Sequence, residues 1–501
     1  MRAAIIILGS VFSTGVSAYQ SAADLADTLN AELYSGVLLN SKDDFSPLYL
    51  VSNNYGEVDE QDAFFLGGEL SYVKAMSHNF TISTGFSFRN DLLSSHFLKL
   101  SLHGIYFKAG RVKETIGGLN NDISSGSMAL SKNARPVPMI AVGLEDYLNV
   151  PYTAGYFQVK GSLSHRWLEE NRYISNALLH GKTFYLRLNL DKLIGFKASS
   201  GVVHFAQYGG ISPQGDKQPS GFSDYLRVFR GAGIPNPNGT TQGESNGLGN
   251  HLGIIETLVE KRLGKHNVTI NYQKPFDDEG GIQYISLTDY LFGIEWKLPE
   301  KNSWLEKVYV EWIQTKWQGG PGLPDPTDEI PTREANFGYD FGQRDDTYNN
   351  WLYRSGWTYE GLVLGNPLFL THDRTLNFLS PYPAHQTSIA NNRIRSLHIG
   401  VKGAIKSGLS YRGLFTYTEN FGTYAGIYDG RFSWNGVVTD PDFDYPFKFG
   451  KVQKYMMLEL THERPFKRVP LNLKLQLAKD FGMLYRASGL SFSVHYELKQ
   501  Y

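Results

Sequence analysis

Between Tyr348 and Tyr359 the chain interleaves Tyr348, Trp351, Tyr353, Trp357 and Tyr359 with Asn349, Asn350 and Arg354. Sugars offer hydroxyls for hydrogen bonding and C–H faces that stack on rings. Exposed Trp and Tyr beside amides and guanidinium groups are therefore the chemistry of a polysaccharide site. Arg354, with Arg227 and Arg230 upstream, adds cations suited to uronate or other acidic groups. The same rings also suit a small core that orders a long loop, with Asn and Arg fixing its backbone. Both readings stand at this level.

Catalytic and metal chemistry are less well provided for. Ser164-His165 followed by Asn171 comes nearest to the constellation of an outer-membrane phospholipase, but the spacing does not reproduce it. No enzymatic activity is expected. Asp325, Asp328 and Glu329, set among Pro321, Pro324, Pro326 and Pro331, lack Ca²⁺-ligand spacing and read as a solvated acidic loop. His251, His372 and His385 lack partners at metal-ligand spacing and read as structural, so no metal or cofactor is expected. The absence of cysteine rules out a disulfide scaffold or thiolate site. With 48 basic and 49 acidic residues there is no generic polyanion-binding surface, and nucleic acid is not expected as a partner.

The elements that must position these residues are strands. Leu471, Leu473, Leu475 and Leu477 alternate with Asn472, Lys474 and Gln476. Leu490, Phe492, Val494, Tyr496 and Leu498 alternate with Ser491, Ser493, His495, Glu497 and Lys499. A period of two with one apolar face marks a strand whose sides meet different media. The pattern recurs in 183–190, 288–298 and 392–405, where the face opposite the apolar one carries charge. That arrangement fits lipid outside and a polar lumen inside better than a soluble core. Aromatic residues at 14% of the chain and 52 glycines fit aromatic girdles and many tight turns.

Strands are predicted near 31–40, 64–74, 79–89, 95–102, 104–112, 136–143, 154–164, 183–190, 196–206, 250–262, 266–273, 288–298, 306–317, 392–405, 409–419, 451–462, 470–478 and 488–499. The fold expected is all-β: a transmembrane antiparallel barrel of about 18 strands. Connection length alternates along the chain. Short turns fall at Met76–Asn79, Leu263–His266, Pro299–Ser303, Lys406–Gly408 and Glu463–Val469, and long segments at 41–63, 113–135, 207–249, 318–391 and 420–450. Short periplasmic turns and long extracellular loops are the outer-membrane signature, whereas a soluble sandwich has no reason to sort loops by parity. The two longest loops are rich in aromatics, Phe337, Tyr339 and Phe341 among them, and are expected to fold over or into the barrel mouth. Trp317, where a strand leaves the membrane, reads as a girdle anchor.

Residues 1–18 have the layout of a secretory signal, with Arg2, an apolar stretch from Ala3 to Phe12, and Val16-Ser17-Ala18 before the cleavage point. That apolar stretch is too short to cross a hydrocarbon core of roughly 30 Å. Residues 19–501 then form a single barrel domain.

Several segments resemble the capsule assembly Wzi family. They are Ser131-Lys132-Asn133-Ala134-Arg135-Pro136-Val137-Pro138, His204 to Gly210, Gly221 to Phe229, Gly247 to Gly253, Tyr348 to Trp351, Tyr353 to Gly361 and Leu364 to Leu368. The resemblance runs with gaps from about Ser131 to the C-terminus and implies an eighteen-stranded outer-membrane barrel with a non-enzymatic, lectin-like role. It implies capsular or related surface polysaccharide as a partner, bound and anchored without chemistry. The location adds outer-membrane lipid and the barrel insertion machinery as partners, and the barrel is expected to be monomeric. One departure is visible. Enteric members carry a helical segment below the barrel, whereas here only Ala22 to Leu33 has room for a short helix, so a periplasmic lid is not expected. An open barrel would be a porin-like channel for oligosaccharides or ions, the alternative reading.

Overall fold

Period-two alternation builds a closed wall. The computed structural model describes residues 27–41, 45–60, 63–117, 122–233, 247–277, 288–299, 303–318, 346–376, 388–424, 446–447, 449–465 and 469–500. All eighteen expected segments are strands. In chain order they are β1 Thr28–Asn40, β2 Phe64–Ser77, β3 Phe80–Arg89, β4 Leu92–Leu102, β5 Ile105–Arg111 and β6 Met139–Leu144. They continue as β7 Phe157–Trp167, β8 Leu178–Leu190, β9 Phe196–Tyr208, β10 Asn250–Leu263, β11 His266–Phe276 and β12 Tyr290–Lys297. The last six are β13 Lys307–Gln314, β14 Ile394–Lys406, β15 Leu409–Asn420, β16 Lys451–Glu463, β17 Leu471–Gly482 and β18 Ala487–Gln500. A two-residue strand, Leu148–Asn149, continues the pairing along β7 beyond the end of β6.

Every neighbour in the wall is antiparallel, and β1 pairs with both β2 and β18. This closure satisfies the backbone on both sides of every strand, as a chain surrounded by hydrocarbon requires. It also corrects the expectation for Ala22 to Leu33: Thr28 to Leu33 lie in β1, with Leu33 opposite Tyr496, because the alternating sequence is needed to close the barrel. Residues 22–26 of that segment and the signal-like residues 1–18 lie outside the described residues.

Side chains sort by parity. On β8 Phe184 and Leu186 are 55% and 54% exposed, while Tyr185 between them points inward and donates to Glu256 at 2.8 Å. Along β14, His398 and Gly400 face the lumen and Ile399 the outside. The short turns behave as the loop parity predicts: Gly264 and Gly408 take φ of 62° and 78°, which suits the tight hairpins they close. On the long-loop side, the β3–β4 and β17–β18 connections are also short.

Candidate functional site

The lumen is filled from the long-loop side. Residues 45–60, 113–117, 122–137 and 346–376 fold inward and form one hydrophobic cluster with inward wall residues such as Val203, Phe205 and Ile254. Segment 122–137 is the centre of this plug. Its base is pinched by an antiparallel bridge between Ile116 and Leu130. Its Met128 N–H donates to Gln273 of β11 at 3.2 Å, and its Ser125 hydroxyl donates to Glu311 of β13. Small side chains let it lie against the wall. A Cβ on Gly400 would stand 2.0 Å from the Ile123 carbonyl oxygen.

The aromatic segment divides between this core and its surface. Trp357 is fully buried and its indole N–H donates to the Ala129 carbonyl at 2.8 Å. Tyr348 donates to the Met128 carbonyl, and Tyr353 donates to that of Gly209 at 3.2 Å. Tyr359 is buried as well, with the Arg111 guanidinium 5.9 Å from its ring centroid. Asn349 spans Asp346 (3.0 Å) and the Ile389 carbonyl (3.1 Å). These five side chains order the plug, which is the second of the two roles open to them in the sequence. Asn350 caps the turn that follows, its Oδ1 accepting from the N–H groups of Leu352 and Tyr353 at 2.9 Å.

Trp351 and Arg354 remain at the surface. Trp351 is 44% exposed. Arg354 Nε donates to the Trp351 carbonyl at 3.0 Å, and its guanidinium lies 4.7 Å from the ring centroid of Tyr173. Tyr173 was missed in the sequence. It stands in the β7–β8 connection, which Arg172 fastens to the plug by donating to the carbonyls of Thr358 (3.2 Å) and Gly356 (3.3 Å). Nearby in the fold, Glu360 is shared by Arg135 (2.5 Å) and Arg111 (3.6 Å). An exposed indole and a stacked guanidinium thus lie side by side at the surface, a pair able to stack on and hydrogen-bond a sugar chain.

Arg227 and Arg230 are not part of that surface. They lie on a helix, Phe222–Arg230, that packs on the outward-facing His165 and His180, so this part of the 207–249 loop covers the outer wall and not the mouth, while residues 234–246 lie outside the described residues. Tyr225 and Phe229 of this helix pack edge-on against His180, 5.3 and 5.5 Å between centroids. His180 shares the parity of lipid-facing Phe184. Tyr208, Val228 and Leu248 complete a small cluster separated from the plug by the wall.

The hydrolytic pair is undone by strand geometry. Ser164 is turned inward and donates to the Gly181 carbonyl at 3.4 Å, whereas His165 is turned outward, with Nδ1 3.5 Å from the Tyr208 hydroxyl. Adjacent strand residues cannot share a face. His251 meets His204 at 3.0 Å, and His372 is buried beside the plug. No group of three or more metal-ligating side chains occurs among the described residues. Trp317 is half-buried, its backbone N–H donating to the Asp289 carboxylate at 3.1 Å. His385, Phe337, Tyr339, Phe341 and the Pro321–Pro331 acidic loop lie outside the described residues.

Charge holds the plug in place. Burial alone would raise the Glu114 carboxyl, but Arg166 at 2.6 Å and Lys108 outweigh it and hold the group below the usual carboxylate range. Asp122 behaves alike: burial opposes ionisation, and Lys402 at 2.7 Å more than compensates. Between plug and wall remains a cavity of about 400 Å³, lined by Glu32, Glu57, Glu69, Arg89, Lys474 and His495 among others. Its mixed charges suit water better than an apolar ligand.

The profile of the capsule assembly protein Wzi family matches residues 9–370. The fold is similar to Wzi of Escherichia coli, described as a carbohydrate-binding outer-membrane β-barrel involved in group 1 capsule assembly. The TM-score is 0.54 at 13% identity, over 93% of this chain and 83% of that one. Pseudomonas aeruginosa OccK10 follows at TM-score 0.44 and 11% identity, over 95% and 99% of the two chains. Acinetobacter baumannii OccAB4 gives 0.44 and 8%, over 96% and 99%. No curated protein sequence matches the chain.

Proposed function

This chain belongs to the capsule assembly protein Wzi family, and from that premise we propose that it binds surface polysaccharide at the solvent face of its plug and anchors it without chemistry. The protein is an outer-membrane barrel of bacterial capsule assembly. The observation that carries the finer reading is the exposed Trp351 beside the Arg354–Tyr173 stack. An indole with nearly half its surface free, held by a turn that Asn350 caps, supplies a rigid face for a sugar ring. Arg354 adds a cation for an acidic residue of the polymer. The buried rings of Tyr348, Tyr353, Trp357 and Tyr359 keep that platform in place.

The channel alternative is disfavoured by the packed plug, since a lumen crossed by a hydrophobic cluster has little room for flow. The test is capsular polysaccharide binding to refolded protein, followed by calorimetry. Trp351→Ala combined with Arg354→Ala should weaken binding on the order of tenfold or more, since base–aromatic stacking elsewhere is worth about 1–3 kcal/mol per ring. Unchanged affinity in the double variant would remove this site from the reading.

A further inference from the structure

We propose that the outer-wall helix Phe222–Arg230 docks the phosphorylated, acylated glycolipid of the outer leaflet. The helix is amphipathic in an unusual way. At 3.6 residues per turn, Val228, Tyr225, Phe229, Phe222 and Leu226 fall on one broad apolar arc, and Arg230, Ser223, Arg227 and Asp224 fill the remainder. The wall covers one side of that arc: Val228 is fully buried, and Tyr225 packs on His180. The other side is open at Phe222 and Leu226, while Phe229 keeps one edge against His180. Phe222 is 77% exposed, Leu226 39% and Phe229 38%.

Three apolar side chains held out on one helix are costly in water and favourable in acyl chains. The position of the helix supplies the chains. It lies against outward residues near the long-loop ends of β7, β8 and β9, namely His165, His180 and Tyr208, on the wall face that also carries the lipid-facing Phe184, Leu186 and Val202. Trp167, 43% exposed at the end of β7, marks the same level as an interfacial aromatic.

The cations define the head group. Arg230 follows Leu226 at one edge of the arc, Lys182 of the wall reaches Phe229, and Arg227 lies on the polar back of the helix, against the single carboxylate of Asp224. Asp224 is engaged locally, accepting from the Gly221 N–H at 3.0 Å and from Arg227 at 2.9 Å. Lys182 sits 4.5 Å from the Phe229 ring centroid and donates to the Phe229 carbonyl, so positive charge is fixed where the helix meets the wall. Acyl chains below and phosphate at this height are the complement of such a helix. The inference is independent of the polysaccharide reading, because the two use different residues on opposite sides of the wall.

The test uses full-length protein in nanodiscs of zwitterionic lipid, to which a diphosphorylated lipid A or its dephosphorylated form is added. Retained glycolipid is counted by native mass spectrometry. Wild-type protein should retain the diphosphorylated form on the order of tenfold better than Arg227→Ala combined with Arg230→Ala, with little difference for the dephosphorylated form. Phe222→Ser combined with Leu226→Ser should lower retention of both forms. A heat-modifiable gel shift confirms that each variant keeps its barrel. Equal retention by wild type and the arginine variant overturns the proposal. So does displacement of the glycolipid by millimolar inorganic phosphate, which would mark a free-anion site. Loss of capsular polysaccharide binding in the arginine variant, with glycolipid retention unchanged, would also overturn it and make the helix a polymer subsite.

Discussion

His398 Nε2 donates to the Ile123 carbonyl at 2.9 Å, and this contact ties the barrel wall to the centre of the plug. Because a carbonyl can only accept, Nε2 carries the proton and Nδ1 is left as an acceptor. Nδ1 then accepts from the Thr416 hydroxyl at 2.7 Å, and the Tyr49 hydroxyl of the first plug segment, 3.1 Å from Nδ1, bonds that of Thr416. A single buried ring thus fixes two inserted segments to two strands.

Removing that ring should loosen the plug without opening the wall. His398→Ala takes the donor from the buried Ile123 carbonyl and the acceptor from the paired Thr416 and Tyr49 hydroxyls, a cost of about 1–3 kcal/mol for each group left unsatisfied. Gly400→Ala attacks the same junction differently, since its Cβ would meet the Ile123 carbonyl oxygen at 2.0 Å and its Cβ at 2.7 Å. Overpacking of this kind costs about 1–3 kcal/mol. Both variants should show a lowered thermal midpoint in detergent and faster protease nicking of 113–137, while the heat-modifiable barrel band persists.

The two tryptophans of the aromatic segment should separate cleanly. Trp357→Ala removes a fully buried ring that bonds Ala129 and packs on Phe205 at 5.4 Å, at a cost of about 3–5 kcal/mol to the plug. Trp351→Ala removes an exposed ring and should leave the melting curve within about 0.5 kcal/mol of wild type while weakening polysaccharide retention. Parallel melting and glycan-binding assays on the single variants check this; a large stability loss in Trp351→Ala would assign that ring to the core.

The strands were legible because the membrane imposes two media on every one of them, so Leu471 to Leu477 can be read without knowing any partner. The plug was not. Ser124-Ser125-Gly126-Ser127-Met128-Ala129 has no periodicity, and it gains meaning only from wall partners far away in the chain, Glu311 for Ser125 and Gln273 for Met128. Trp351 and Trp357 looked alike for the same reason, since burial of the second is decided by Ala129, far away in the chain. The residues 222, 225, 226 and 229 do have helical spacing. Their apolar positions serve both the wall and the outside, and a long loop concealed the pattern.

Acid should weaken the anchoring of the plug. The Glu114 and Asp122 carboxyls are both depressed in the folded protein, so their stabilisation is complete above the unfolded-state values near 4 and is lost as pH falls through the folded ones. Between pH 5 and 8 these two groups contribute a constant amount. Below about pH 4, hydrogen exchange of the 113–137 backbone should accelerate. Glu114→Gln should transfer part of that loss to neutral pH, and identical exchange at pH 7 in the variant would show that its ion pairs with Arg166 and Lys108 are not what holds the segment.

The strongest test of the filled lumen is to empty it. Ile116 and Leu130 face each other across a backbone bridge, with N–H to carbonyl distances of 2.9 and 3.2 Å, so the two ends flanking residues 117–129 already meet. Replacing them with a short Gly-Ser turn leaves β5 and β6 where they are and removes Ile123, Met128 and Ala129 from the cluster. Wild-type protein in planar bilayers should give little steady current, because the inserted segments and the wall residues they touch occupy the cross-section. The excised variant should conduct in steps of porin size, since eighteen strands enclose a water-filled channel once side chains and loops no longer fill it. A large steady current through wild type would instead make the plug permeable and favour the channel reading of the barrel.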